Sequence, residues 1–135
     1  MNTLIGYNRY LTLFLWLVAL HSLAVGIGLI ALSDAFLVRL GYAGSAERFF
    51  RTQGGVFHIA MALGYAMAAS NLKRYECLLL FAVMVKSIAT LFLFSYALFV
   101  KNLAVIWFSG MADFVMAMVI WYLYRKAKFN PDGDA

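Results

Sequence analysis

Residues 75–100 read YECLLLFAVMVKSIATLFLFSYALFV. The run is apolar apart from Glu76, Lys86 and a few small hydroxyls, and it exceeds the roughly 20 residues a helix needs to cross a hydrocarbon core. Three further segments have comparable length, from Tyr10 to Leu32, Thr52 to Ser70 and Leu103 to Tyr124. Of the four, Thr52–Ser70 is the least hydrophobic, being rich in Gly, Ala and Met. The pattern predicts an all-α fold, a polytopic membrane four-helix bundle formed as one domain over residues 1–128, with a flexible tail at 129–135.

Composition points the same way. In a chain of 135 residues, 65% hydrophobic content and a mean hydropathy of +0.85 exceed what a soluble core of that size can hide. Charged residues are 13% of the chain, about half the usual share, and they cluster between the apolar runs, which marks those clusters as loops. The isoelectric point near 9.5 does not indicate nucleic-acid binding, because the Lys and Arg residues flank spans and form no basic stripe with interleaved aromatics. Cys77 is the only cysteine, so an internal disulfide and CxxC redox chemistry are excluded within the chain. The first apolar run is longer than the core of a signal peptide and ends in IALSDAF, without a small-x-small cleavage site, so it is expected to be retained.

The link between the first two spans, SDAFLVRLGYAGSAERFFRTQGG, is too apolar for a plain loop and too interrupted for a span. Ser33 or Asp34 can cap a short helix with Phe36, Leu37 and Leu40 on one side, an arrangement suited to an interfacial segment. The remaining links, NLKR and little more than Lys101 and Asn102, predict antiparallel neighbours and a consecutive up-and-down array of the last three spans. Arg9, Lys73, Arg74, Arg125, Lys126 and Lys128 fall on one side, against Arg39, Arg48, Arg51 and Lys101 on the other. That imbalance predicts cytoplasmic termini. Tyr and Trp residues near the expected boundaries agree.

Each span carries one strongly polar residue well inside it: His21, His58, Lys86 and Asp113. All four lie about 11 residues from the expected cytoplasmic ends, or roughly 16 to 18 Å at 1.5 Å per residue, and so near one plane. The short links make His58, Lys86 and Asp113 level across adjacent helices. A Lys or Asp at a helix centre costs about 2.5 to 3.5 kcal/mol even on a lenient insertion scale, so each needs a partner. One reading is a buried Lys86–Asp113 pair that orients two helices, with hydrogen-bonded histidines. The other is a ligand site or proton-handling cluster, which Arg51 and Gln53 extend towards the non-cytoplasmic surface. Arg51 is alternatively a plain interfacial anchor. Small residues aligned with the polar ones, and Ala60, Gly64 and Ala68 at four-residue spacing, predict close helix packing.

These residues constrain the chemistry. Two histidines at one depth suggest a b-type haem, but Lys86 beside them makes a poor haem pocket. A metal site from His21, His58 and Asp113 is disfavoured by the same cation, and no HExxH or CxxC ligand pair is present. A quinone, or another lipid-soluble molecule with a polar head, fits better, with a His or Lys donating to its carbonyl. No catalytic triad, P-loop or dinucleotide fingerprint is present: Ser109 lies one turn from Asp113 without an adjacent base.

The segments RTQGGVFHIAMALGYA, AVMVKSIAT with Lys86, and GMADFVMAM with Asp113 together resemble the small four-span DoxX-like proteins, including DUF4345-type sequences, over roughly residues 10 to 125. The resemblance implies a four-helix membrane bundle and, for some members, a place as a subunit of a quinone-linked oxidoreductase. The lone cysteine departs from a thiol-based role. The expectation is an integral protein, in a bacterial inner membrane, that binds a hydrophobic ligand or serves as an accessory subunit, as a homo-oligomer or in a larger complex. A quinone- or haem-linked oxidoreductase subunit and a proton-coupled small-solute transporter are the alternatives.

Overall fold

In a computed structural model, which describes residues 2–41 and 48–128, the chain forms five helices: α1 (Asn2–Ala31), α2 (Asp34–Arg39), α3 (Arg48–Ser70), α4 (Glu76–Phe99) and α5 (Ala104–Lys128). The four long helices run uninterrupted because the only proline is Pro131, so none of them loses a backbone donor. Three of them extend past the expected spans, with α1 starting before Tyr10, α3 before Thr52 and α5 continuing beyond Tyr124, while α4 lies within the expected 75–100. Hydropathy marks only the part of a helix compatible with lipid, whereas backbone hydrogen bonding continues into polar flanks.

Local capping sets the turns. Ser33 is the N-cap of α2, and its hydroxyl accepts from the Phe36 N–H at 3.3 Å. None of the residues of α2 is buried, and Phe36 and Val38 are exposed. Between α3 and α4 the Asn71 side chain accepts from the Arg74 N–H at 2.9 Å, closing the NLKR turn. Both Val100 and Lys101 donate their N–H groups to Tyr96 O at 3.0 Å, which ends α4. The expected tail at 129–135 lies outside the described residues.

The long helices pack in a ring. The α1–α3 and α4–α5 contacts are extensive, while α1–α5 and α3–α4 are lighter. The consecutive array therefore exists, but its first hairpin, α3 to α4, is the lightest of these seams. The reason is where backbones can approach. A Cβ on Gly26 would lie 2.7 Å from Gly55 O, and one on Gly55 would lie 2.7 Å from Gly26 O, so α1 and α3 meet backbone to backbone. Gly110 receives Phe94 in the same way, with 2.6 Å from its ideal Cβ to Phe94 Cε1. The stripe expected at Ala60, Gly64 and Ala68 is not a contact line. Ala60 is exposed and Gly64 has nothing within 4 Å of an added Cβ, although Ala68 is buried.

The apolar core occupies the end of the bundle that holds the α3–α4 turn. Leu11, Leu15 and Val18 of α1 meet Tyr65, Ala68 and Ala69 of α3, Leu79 and Ala82 of α4, and Met116 and Ile120 of α5. Large apolar side chains also cover the outside, among them Leu17, Leu63, Ile88 and Phe108. Among the described residues, three helices are long and apolar enough to cross a membrane, over Gly6–Ala31, Glu76–Phe99 and Ala104–Ala127. At 23 residues α3 has the length, but Arg48, Arg51, Gln53 and His58 lower its hydropathy.

Because the α1–α3 crossing leaves no room for a methyl group, Gly26→Ala and Gly55→Ala should each destabilise the protein by about 1–3 kcal/mol. Gly64→Ala should be neutral or stabilising by up to about 1 kcal/mol, through helix propensity. Thermal unfolding of the three variants in one detergent checks the contrast.

Candidate functional site

The inward face of α4 carries Leu79, Ala82, Lys86, Thr90 and Ala97, and that of α5 carries Ile106, Gly110, Asp113, Ala117 and Ile120, both at helical spacing. The single charge on each face therefore points at the other helix. Lys86 is 3% exposed and Asp113 is 9% exposed. The Lys86 Nζ donates to Asp113 Oδ1 at 2.5 Å. The Tyr65 ring, 2% exposed, stands with its centroid 5.7 Å from the same Nζ, so a π-system from α3 also faces the ammonium. Thr90 donates its hydroxyl to Lys86 O at 2.8 Å and so is satisfied within its own helix.

A second polar pair joins α1 to α3. Ser22, 1% exposed, belongs to the α1 face made of Leu11, Leu15, Val18, Ser22 and Gly26. Its hydroxyl donates to the backbone carbonyl of His58 at 3.0 Å and stands 3.4 Å from His58 Nδ1. A hydroxyl has one proton; with that proton on the carbonyl, Ser22 Oγ can only accept from the imidazole. In that arrangement Nδ1–H of His58 donates to Ser22 Oγ. Sequence reasoning missed Ser22, although the spacing of its face was readable.

His21 does not join that pair. Neighbouring residues on a helix are turned by about 100°, so when Ser22 faces α3, His21 points elsewhere. It is exposed and lines an apolar groove of about 510 Å³ between α1 and α5, with Phe14, Leu17, Val18, Phe108, Met111, Ala112, Val115 and Met116. His58 is not among the lining residues, so the two imidazoles do not face one common space as axial haem ligands must. Among the described residues no three His, Cys, Asp or Glu side chains gather as a metal site.

At the other end of α3, Arg51 Nη1 donates to Asp34 Oδ1 of α2 at 2.8 Å. The Arg51 side chain is 11% exposed, so it is covered rather than extended into solvent as a free anchor. Gln53 is exposed and lies off the face formed by Arg51, Gly55, His58, Ala62 and Tyr65, so it does not continue the polar track. Asp34 as the partner of Arg51 was not foreseen. Neither was the Tyr124 hydroxyl donating to Glu76, which fastens α5 to the start of α4.

Compared with known proteins, the chain matches no family model, no curated sequence and no solved structure.

Removing one member of the Lys86–Asp113 pair strands a buried charge. Lys86→Met should cost about 3–5 kcal/mol of stability, and the double variant with Asp113→Leu should recover much of that loss. Unfolding in detergent checks this: stable single variants would show that the pair is not what holds α4 to α5.

Proposed function

We propose that this chain is an integral membrane protein with four spans that binds a lipid-soluble molecule with a polar head in the groove between α1 and α5. The observation that carries the reading is the groove itself. Eight of its nine lining residues are apolar, and the ninth, His21, supplies its only hydrogen-bonding side chain. Its volume of about 510 Å³ is that of a small-molecule site, which is typically mostly apolar with a few placed polar groups. A quinone suits it, with ring and tail on the Phe, Leu and Met side chains and a carbonyl accepting from the imidazole.

The fourth span of the proposal is α3. Arg51 and His58 lie on its inward side and Arg48, Gln53 and Ser70 are confined to the first two turns and the last residue, while Val56, Phe57, Leu63 and Met67 are exposed along the rest. Such a helix is disfavoured by mean hydropathy yet presents hydrocarbon to lipid, and α3 packs closely along α1, itself apolar enough to span. The likeness to DoxX-like proteins adds to the four-span architecture and the quinone, and with them a bacterial inner membrane. The Lys and Arg distribution supports cytoplasmic termini. The role that follows is ligand-binding or accessory, as a homo-oligomer or within a larger membrane complex. A redox subunit is the second reading, favoured by one observation: Ala112 lines the groove and the next residue, Asp113, holds Lys86, so a chargeable pair backs the groove wall.

Solvent extraction of protein purified from native membranes should yield quinone at near-stoichiometric amounts, and His21→Leu should weaken rebinding about 2- to 10-fold, the value of one hydrogen bond. Ala112→Phe, which fills the groove, should lower it further. Quinone content equal in wild type and both variants would refute the site.

Orientation has its own readout, because Cys77 is the chain's single cysteine and is exposed beside the α3–α4 turn. A membrane-impermeant maleimide should label Cys77 in inside-out vesicles and not in intact cells. A Cys77→Ser, Asn102→Cys variant should show the reverse.

A further inference from the structure

The guanidinium of Arg51 is only partly used. Its Nη1 is held by Asp34, but Nε and Nη2 are buried and have no hydrogen-bond partner among the described residues. These two atoms form one edge of the guanidinium, the side-on fork that matches two oxygens of a phosphate or carboxylate. A buried donor without an acceptor costs about 1–3 kcal/mol, and here two belong to a permanently charged group. That cost falls on a side chain held in place by an ion pair, on the inward face of α3 and one turn from the Gly26–Gly55 crossing.

The surroundings favour an anion. Arg39 and Arg48 are exposed at the same end of the molecule, and Lys101, which donates to Gly41 O at 2.9 Å, adds a third cation. Asp34 is engaged on Nη1, so it does not compete for the Nε edge. The neighbouring short helix is apolar on its surface: Phe36 and Val38 of α2, and Leu40 at its C-cap, are exposed. An exposed apolar helix next to a cationic cluster is the arrangement of an interface between lipid tails and head groups.

We propose that the Nε/Nη2 edge of Arg51, closed from solvent in this structure, is a binding site for a phosphate oxyanion that displaces its cover where α2 is clasped to the first turn of α3. The proposal rests on the membrane reading above only for the source of the phosphate, a lipid head group, and is independent of what fills the α1/α5 groove. The oxyanion accepts two parallel hydrogen bonds from the fork, while Asp34 fixes the guanidinium through its other nitrogen.

The test follows the Arg51 Nε–H resonance in ¹⁵N-labelled protein, in a micelle of uncharged maltoside detergent. The resonance is assigned by its loss in Arg51→Lys. Short-chain phosphatidylglycerol should shift it saturably, and sodium phosphate alone, titrated separately, reports whether the site takes the free ion as well. A response to both probes supports the oxyanion site in general; a response to the lipid alone supports it and identifies the head group as its source. Lipid binding should fall at least about tenfold in Arg51→Lys, which keeps the charge and loses the fork, with little change in melting temperature. In Asp34→Asn, which leaves the Nε edge intact, it should persist. No shift with either probe overturns the proposal. Equal loss in Asp34→Asn and Arg51→Lys also overturns it, because binding would then belong to the clasp and not to the fork.

Discussion

An ammonium and a carboxylate enclosed by apolar side chains have only each other to replace water. In this chain the enclosed pair is Lys86 and Asp113, and their contact sets how α4 and α5 align. A shift of either helix by one turn, about 5.4 Å, would separate the charges and leave both buried without partners. Apolar surfaces tolerate sliding and repacking; a buried ion pair does not. The Tyr65 ring facing Lys86 carries that alignment across to α3, and Ser22 carries it from the His58 backbone to α1. A thin polar layer thus aligns four helices whose other contacts are mostly non-directional.

The layer also divides the molecule. Towards the α3–α4 turn lies the packed core of Leu, Ala, Met and Ile side chains. Towards the other end, contact relies on glycines, with Gly26 against Gly55 and Gly110 against Phe94. Two tightly joined pairs result, α1 with α3 and α4 with α5, meeting along two lighter seams. A lipid-soluble ligand enters most readily where side chains interlock least. The groove between α1 and α5 lies on one of those lighter seams, so the proposed ligand would occupy it without opening the glycine crossing or the ion pair.

The helical class, the long helices and the Lys86–Asp113 partnership were legible in the sequence because each follows from a strong local term. Long apolar runs signal spans, and an intramembrane charge demands its opposite. The level of Lys86 with Asp113 was also readable, since a short link fixes register between hairpin neighbours. Helix rotation was not. His21 and His58 share a level, yet His58 pairs with Ser22 and His21 faces the groove, a distinction that depends on which side of α1 meets α3. That choice is made by Gly26 and Gly55 touching backbone to backbone, and nothing in Gly64 or Gly54 taken alone marks them as the weaker candidates. Arg51 was misjudged as a choice between anchor and track for a related reason: its partner, Asp34, belongs to a short helix whose position depends on tertiary folding.

Rotation about α1 therefore carries the functional argument. Residues 21 and 22 are adjacent and turned by about 100° from each other, so one helix serves two neighbours at the same height. Ser22 faces α3, where its single proton goes to the His58 carbonyl and its lone pairs face the imidazole; both partners are then committed to structure. His21 is turned towards α5, and its ring meets the groove instead of a packed helix. Had α1 been rotated by one residue, His21 would face α3 and the groove would have no hydrogen-bonding side chain. The glycine crossing that fixes this rotation thereby determines which of the two histidines lines the groove.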